Sequence, residues 1–393
     1  MKPTPNKTKR IHSLDALRAV MMLLGVIIHS ALTYNVTNHG KAWILKDPNS
    51  VSIFTDFIVL LIHSFRMPLF FMVAGFFGAL LFYERHPISM LKNRISRIGY
   101  PFILFLFLLW PFVIFTFQFT EAIFIGNNNP FSHALTSLNN IIDFLPKGTF
   151  HLWFLYSLLY ITIAIVILAL LLRKSPRITL KISYLFNYLI QKPILRIFVF
   201  ITITYIICFL LNTSLIEASV SFLPDRNSFV FFSIFYIVGW LLFKSKQHLE
   251  SLLHYDWLCT ILAIVIISTQ AILIKYANLL GLMPNSNTPL AMFLNSLIVW
   301  LFTFGITGLF IRYSRKQSNT MRYISDASYW VYLIHLPITA LLPSFIVDWP
   351  IPAFIKFIIV VLATSVICFV SYHYLVRSTF MGKFLNGRKY LRK

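Results

Sequence analysis

Three ionisable residues lie within one apolar stretch near the start of the chain. Residues 13–34 contain Asp15, Arg18 and His29 among mostly aliphatic side chains. On a helix, Asp15 can pair with Arg18 one turn away, and His29 would share the face of Arg18 about 16 Å along the axis. Ionisable groups in a membrane span cost roughly several kcal/mol and normally mark a functional path. Histidine is the usual proton acceptor near neutral pH.

The second apolar run, residues 53–82, contains His63 and Arg66 one turn apart. A surface charge that snorkels to the membrane interface is the plain interpretation of Arg66. The guanidinium is followed directly by a buried run, however, and would need a partner there. Small residues later in this run favour close helix packing; they are Ala74, Gly75, Gly78 and Ala79.

Arg94 and Arg97 lie one turn apart where the third apolar run begins. Positive residues flank many spans on their cytoplasmic side, and this alone would explain the pair. Two guanidinium groups also present paired donors that suit phosphate oxygens, so a phosphate clamp is the alternative.

The fourth apolar run opens with HLWFLYSLLY, so that His151 and Trp153 lie at its outer mouth. The aromatic residues fit an interfacial belt. His151 is placed to meet a soluble acceptor.

A late run reads SDASYWVYLIHLPI, in which Ser328, Tyr332 and His335 recur at helical spacing. A lone histidine in a span is often a satisfied structural residue. Several histidines in the outer and middle thirds of the spans instead favour a common polar cavity; they are His29, His63, His151 and His335. No histidine or acidic cluster has metal-ligand spacing, so no metal site is predicted.

The composition predicts the elements that position these residues. The chain has 393 residues, of which 58% are hydrophobic and 12% charged, which is typical of a polytopic membrane protein. We expect an all-α integral membrane bundle of about ten spans, with Pro68 bending the unusually long second run. The predicted spans are 13–34, 53–82, 98–119, 151–172, 196–214, 229–243, 257–276, 290–311, 326–346 and 353–376.

The net charge of +22 follows the predicted topology. Of the 34 lysine and arginine residues, the predicted outer loops contain only Lys41, Lys46, Lys147, Arg226 and Lys275. This asymmetry predicts that both termini are cytoplasmic, with tails 1–12 and 377–393 and a single membrane domain over 1–393. Membrane lipids and phosphate-bearing ligands, rather than nucleic acid, are the expected partners.

Three motifs together resemble the membrane acyltransferase-3 family. They are Arg18 and His29 with ten residues between them, the Arg94–Arg97 pair, and SYWVYLIHLP from Ser328 to Pro337. FRMPLFFMVAGFF and HLWFL fall between them in the family's order, and the resemblance covers the whole chain. Their variants FRMPLFF and HLWFL are most similar to those of members that add succinyl groups to periplasmic glucans.

The resemblance implies O-acyl transfer in a bacterial inner membrane. The donor would be a cytoplasmic acyl-CoA, used as a co-substrate with no permanently bound cofactor. The acceptor would be a sugar hydroxyl of an extracytoplasmic glucan or other polysaccharide, and the group succinyl or acetyl.

The resemblance also implies roles for the residues singled out above. His29 would be the general base, and Arg18, held by Asp15, would orient the donor or stabilise developing negative charge. The donor would contact Arg94, Arg97, Ser328 and Tyr332. The acceptor would contact Arg66, His63, His151, Trp153 and His335.

A different class of protein would use the same residues. A cavity lined by histidine and arginine could pass protons, an anionic solute or a lipid-linked glycan, as in a transporter or flippase. A purely structural subunit is disfavoured by the charged face that carries Arg18 and His29.

Overall fold

A computed structural model describes residues 11–214, 219–279 and 287–390 of the chain. Most of these residues are helical. Within these ranges there is no β-strand, and nine helical segments are long and apolar enough to cross a membrane. The prediction of an all-α polytopic membrane bundle is therefore confirmed. The nine are His12–Leu32, Ile53–Glu84, Pro87–Phe124, Phe150–Arg173, Pro193–Leu210, Arg226–Lys244, Asp256–Tyr276, Pro289–Tyr313 and Ala353–Val376.

The individual α-helices are numbered in chain order. A π-helical turn, Ile95–Gly99, joins the third to the fourth, and another, Tyr372–Val376, follows the thirteenth. The helices are α1 His12–Leu32, α2 Ile53–Glu84, α3 Pro87–Arg94, α4 Tyr100–Phe124, α5 Pro130–Thr136, α6 Trp153–Arg173, α7 Pro176–Gln191, α8 Pro193–Leu210, α9 Arg226–Lys244, α10 Asp256–Leu279, α11 Pro289–Tyr313, α12 Asn319–Leu341, α13 Ala353–Ser371 and α14 Phe380–Asn386.

Helix α12 corresponds to the predicted span 326–346 but is not among the nine apolar segments. It begins at Asn319, after an N-cap at Ser318 whose side chain accepts from the backbone N–H of Met321. Its polar residues lower its hydropathy, and most of them are buried against neighbouring helices. Because α12 packs on α1, α4 and α13, its polar face is directed into the bundle.

Helix α2 is one continuous helix of 32 residues that includes Pro68. Pro68 therefore does not divide the helix, and a bend at this residue stays a prediction. Proline leaves one carbonyl of the preceding turn without its helical partner. Membrane helices tolerate this because neighbouring helices compensate.

The packing of α2 on α9 uses glycine on both helices. A Cβ atom at Gly75 would overlap the backbone carbonyl of Tyr236, and one at Gly239 would overlap the carbonyl of Met72. A Cβ atom at Gly78 would overlap the side-chain hydroxyl of Tyr236. The prediction that Gly75 and Gly78 permit close packing is confirmed.

Replacing Gly239 with alanine is expected to lower the free energy of unfolding by about 1–3 kcal/mol. The added methyl group meets backbone, which cannot move aside as a side chain would. The midpoint of thermal unfolding in detergent measures the effect. Gly99→Ala is the control, since a Cβ there would lie 3.7 Å from its nearest neighbour. Equal midpoints for the two variants would contradict the packing argument.

One amphipathic helix was missed by the sequence analysis. Helix α7 lies between α6 and α8 and exposes apolar residues that include Leu180 and Tyr184. Charged residues such as Arg177 and Lys181 occupy the same helix. Its apolar residues at helical spacing were the available signal, and they are typical of a helix in the membrane interface.

Both described chain ends lie at one end of the bundle, where α1 and α12 begin. Nη2 of Arg18 is 3.4 Å from Oγ of Ser325, and the adjacent Asp326 pairs with Arg388. These contacts agree with the prediction that both termini lie on the same side of the membrane. That this side is the cytoplasm stays a prediction. Residues 1–10 and 391–393 of the predicted tails lie outside the described residues.

Candidate active site

Side chains from α1, α2, α12 and the start of α6 enclose a small cavity, called here the histidine cavity. Its free volume is about 30 Å³, which is enough for about one or two water molecules. The predicted common polar cavity therefore exists, although not every predicted residue lines it. The lining residues are Met22, His29, Arg66, Met67, Phe70, His151, Trp153, Phe154 and Tyr332.

His29 lies in this cavity between two other rings. The centre of its imidazole is 5.5 Å from that of Trp43, nearly parallel to it, and 5.3 Å from that of His335. Its Nδ1 atom is buried and has no hydrogen-bond partner among the described residues. A buried imidazole nitrogen without a partner, beside a polar cavity, is suited to accept a proton from a hydroxyl group.

Trp43 comes from the loop after α1 and was missed by the sequence analysis. Its indole N–H donates to Oγ1 of Thr33 over 3.1 Å. The loop is held on α13 by an ion pair between Asp47 and Lys356, 3.0 Å long and fully buried on both sides. A tryptophan in a polar loop and a lysine within a span were the only signals in the sequence.

Arg66 extends into the cavity as a buried cation; its exposed fraction is 9%. Its Nε–H donates to the carbonyl of Met21 over 2.8 Å, and no carboxylate of the described residues lies within ion-pairing distance. The snorkelling interpretation is wrong, since the side chain is buried. A buried unpaired guanidinium is costly and therefore suited to an anionic ligand or a developing oxyanion.

His335 is fully buried, and its ring lies next to that of His29. Its Nδ1 atom is 2.7 Å from the carbonyl of Tyr332, so that this nitrogen carries the proton and donates. Nε2 is left without a partner among the described residues. His335 does not itself line the histidine cavity, and its ring centre lies 5.2 Å from that of His151.

Gly25 provides the space in which Arg66 lies. A Cβ atom at Gly25 would be 2.5 Å from Nη2 of Arg66 and 3.4 Å from Nε2 of His335. The face of α1 between Arg18 and His29 thus contacts the guanidinium of Arg66 directly.

Gly25→Ala is expected to lower, about tenfold or more, any catalysis that depends on the Arg66 guanidinium, with little change in stability. The methyl group displaces the end of a flexible side chain, so the fold persists while the guanidinium moves; misplacement by about 1 Å is costly in catalysis. Initial rates and unfolding midpoints should be measured together, with Gly99→Ala as control. Activity equal to that of the control would show that the position of Arg66 is unimportant.

His151 is fixed by α12. Its Nε2–H donates to the carbonyl of Leu333 over 2.9 Å, and its own carbonyl accepts from the Tyr332 hydroxyl over 2.5 Å. Nδ1 of His151 has no partner among the described residues. Tyr332, predicted with the donor set, lines the histidine cavity together with His29 and Arg66.

The other predicted acceptor residues differ in position. Trp153 lines the histidine cavity. His63 is exposed on α2, one turn before Arg66, and does not line the cavity. Contact of either residue with an acceptor stays a prediction.

The opposite end of the α1 face carries Arg18, whose guanidinium is 3.7 Å from the carboxylate of Asp15. Arg18 also contacts Ser325 at the start of α12. Between this end and His29, the Ser328 hydroxyl contacts the sulfur of Met22 at 3.5 Å. The structure thus directs the predicted polar face of α1 towards α12.

Arg94 and Arg97 make different contacts. Nη2 of Arg94 donates to the carbonyl of Ala74 over 3.3 Å, and its Nε has no partner among the described residues. Nη1 of Arg97 donates to the carbonyls of Lys383 and Phe384, each over 2.6 Å, near the end of α14. Phosphate binding by this pair stays a prediction.

The chain belongs to the acyltransferase-3 family, since the family model described as an acyltransferase domain matches residues 11–373. The protein is therefore a multi-pass membrane acyltransferase. Glucans biosynthesis protein C of Escherichia coli O139:H28 is 25% identical over 362 residues, which cover 88% of this chain and 86% of the relative. The proteins of that name from Escherichia coli K12 and Shigella dysenteriae serotype 1 are 26% identical over 363 residues, with the same coverage. No solved structure matches the chain.

Proposed function

We propose that this acyltransferase moves a succinyl or acetyl group from cytoplasmic acyl-CoA to a sugar hydroxyl of a periplasmic glucan or related polysaccharide. It would act in a bacterial inner membrane. The observation that carries the proposal is the histidine cavity, which His29, His151 and Arg66 line together. Nδ1 of each histidine has no hydrogen-bond partner among the described residues, and Arg66 has no carboxylate partner there. The relatives' name, which refers to glucan biosynthesis, supports the choice of acceptor.

His29 acts as the general base in this proposal. In a direct transfer, the sugar hydroxyl oxygen attacks the thioester carbonyl carbon while His29 takes the hydroxyl proton. A C–O ester bond forms, the C–S bond breaks, and the CoA sulfur leaves with the proton from His29. Trp43 and His335 hold the imidazole from two sides, so that its orientation is set before substrate binds.

Arg66 stabilises negative charge at the same point. The carbonyl oxygen becomes an oxyanion as the hydroxyl attacks, and a guanidinium without a carboxylate partner is free to bind it. If the group is succinyl, its free carboxylate is a second anion that Arg66 could bind in a bidentate manner. Trp153 and His151 lie on the acceptor side, where a ring face suits the apolar face of a sugar.

Arg18 and Asp15 belong to the donor side. The thioester has to reach His29 from the cytoplasmic end, about 16 Å along α1. Arg18, between Asp15 and Ser325, orients the donor as it enters this path. Arg94 and Ser328 would contact the donor on this side in the same proposal.

Mass spectrometry of envelope glycans tests this proposal. Cells with the gene should carry a substituent on a glucan or polysaccharide that cells without the gene lack, and its mass identifies the acyl group. A gene with His29→Ala should fail to restore it although the protein is inserted. Unchanged glycans together with an altered distribution of a solute or lipid-linked glycan would instead indicate a transporter or flippase.

A further inference from the structure

A second pocket lies at the end of the bundle where α12 begins, called here the C-terminal pocket. The start of α12, the π-helical turn after α13 and the last described residues enclose it, and its volume is about 320 Å³. This is at the lower limit of small-molecule sites. Its lining includes Arg322, Tyr323, Asp326, Tyr372, Arg377 and Tyr390.

The charge of the C-terminal pocket is positive. Its single carboxylate, Asp326, is already engaged, since it pairs with Arg388 and accepts the Tyr390 hydroxyl over 2.6 Å. Burial and the carboxylate of Asp326 raise the pKa of the Tyr390 hydroxyl, which keeps it protonated as a donor. Arg322 makes no ion pair with a described residue, and its Nε is buried without a partner.

The pocket also presents aromatic faces. The guanidinium carbon of Arg377 lies 5.3 Å from the ring centre of Tyr323 and 5.1 Å from that of Tyr390. A flat cation next to tyrosine rings is a surface on which a nucleobase can stack. Arginine and tyrosine together therefore suit a ligand that has both phosphates and a ring.

We propose that the C-terminal pocket binds the nucleotide end of the acyl-CoA donor, with Arg322 on a phosphate and the base near Arg377 and Tyr390. The inference rests on the proposed function. Asp326 of the pocket is adjacent to Ser325, which contacts Arg18. A donor held here would extend its thioester arm past Arg18 along α1 towards His29.

Adenosine 3′,5′-bisphosphate is the probe, because it carries the base and phosphates of CoA without the reactive arm. The full-length protein in an uncharged detergent should bind it, as measured by calorimetry. Arg322→Gln and Arg377→Gln should each weaken binding about tenfold or more. Arg177→Gln on the exposed part of α7 is the matched control and should bind as the original protein does. Binding by both pocket variants at the original affinity would overturn the proposal.

Three further measurements separate a nucleotide site from a folding defect, a phosphate site and a lipid site. Arg322→Lys should recover part of the affinity, which would exclude a folding defect. Equal affinity for inorganic phosphate would show a phosphate site only, and displacement of the probe by phosphatidylglycerol in the micelles would show a lipid site; either result overturns the nucleotide assignment.

Kinetics keep this inference distinct from the proposed function. The pocket variants should raise KM for acyl-CoA far more than they lower kcat. Normal acyl transfer with unchanged KM in both variants would refute the pocket while leaving the proposed function intact. Absence of transfer by the original protein would refute the proposed function instead.

Discussion

Replacing His29 with alanine is expected to lower the rate of acyl transfer by about 10²–10⁴-fold, which is the usual contribution of a general base. No other cavity residue has both an unpaired imidazole nitrogen and a ring held in place by Trp43. The measurement is the initial rate of transfer from labelled succinyl- or acetyl-CoA to glucan by purified protein. His29→Gln should be nearly as inactive, because an amide keeps hydrogen bonding but cannot take the proton.

His248→Ala is the matched control for this experiment. His248 lies on the short helix Lys246–Leu253 and does not line the histidine cavity. Its loss should leave the rate within about twofold of the original, as for a surface substitution away from special features. A His29→Ala variant that transfers at the original rate would remove His29 as the base.

Replacing Arg66 with methionine is expected to lower kcat by about 10²–10³-fold without lowering the unfolding temperature. The loss follows from removing the charge that faces the developing oxyanion. Stability should be kept or raised, because the guanidinium is buried with no carboxylate beside it and its desolvation is uncompensated. Rates and thermal unfolding midpoints of one protein preparation measure both quantities.

Arg66→Lys separates charge from geometry. Lysine keeps the charge but lacks the planar fork of arginine, so an intermediate rate is expected. If Arg66→Met unfolds at a clearly lower temperature and still transfers the acyl group, the side chain is a structural residue and not a stabiliser of negative charge.

The sequence was sufficient to predict that Arg18 and His29 lie on one face of α1. Helical spacing alone relates Arg18 to His29, and the structure directs that face towards α12, with Asp15 paired to Arg18. The apolar runs likewise predicted the spanning helices, since burial in lipid demands long uninterrupted apolar segments.

Contacts between distant parts of the chain lay beyond such reasoning. Trp43 reaches His29 because the ion pair of Asp47 and Lys356 closes a loop across 309 residues. Tyr332 and Ser328 lie on one face of α12, as their spacing predicts. The hydrogen bond from the Tyr332 hydroxyl to the His151 carbonyl could not be predicted from that spacing. Periodicity gives the face of a residue but not the neighbour that it meets.

The contacts of the C-terminal segment could not be predicted from the sequence either. Its basic residues predicted only a cytoplasmic tail, whereas Arg388 and Tyr390 fold back onto Asp326. Arg97, predicted as half of a phosphate clamp, also contacts the carbonyls near the end of α14. These contacts depend on where α12 and α14 pack, which no short motif encodes.

The central claim is a two-sided axis, with the donor entering at Arg18 and the acceptor meeting His29. Reconstitution into sealed vesicles tests it most directly, with orientation fixed by protease accessibility of a C-terminal tag. Labelled acyl-CoA is supplied on the side of the chain termini and glucan on the other. The sides are then exchanged, and in a further arrangement both substrates are supplied on the same side. Product is expected only in the first arrangement, and formation of product solely when both substrates share one side would contradict the account.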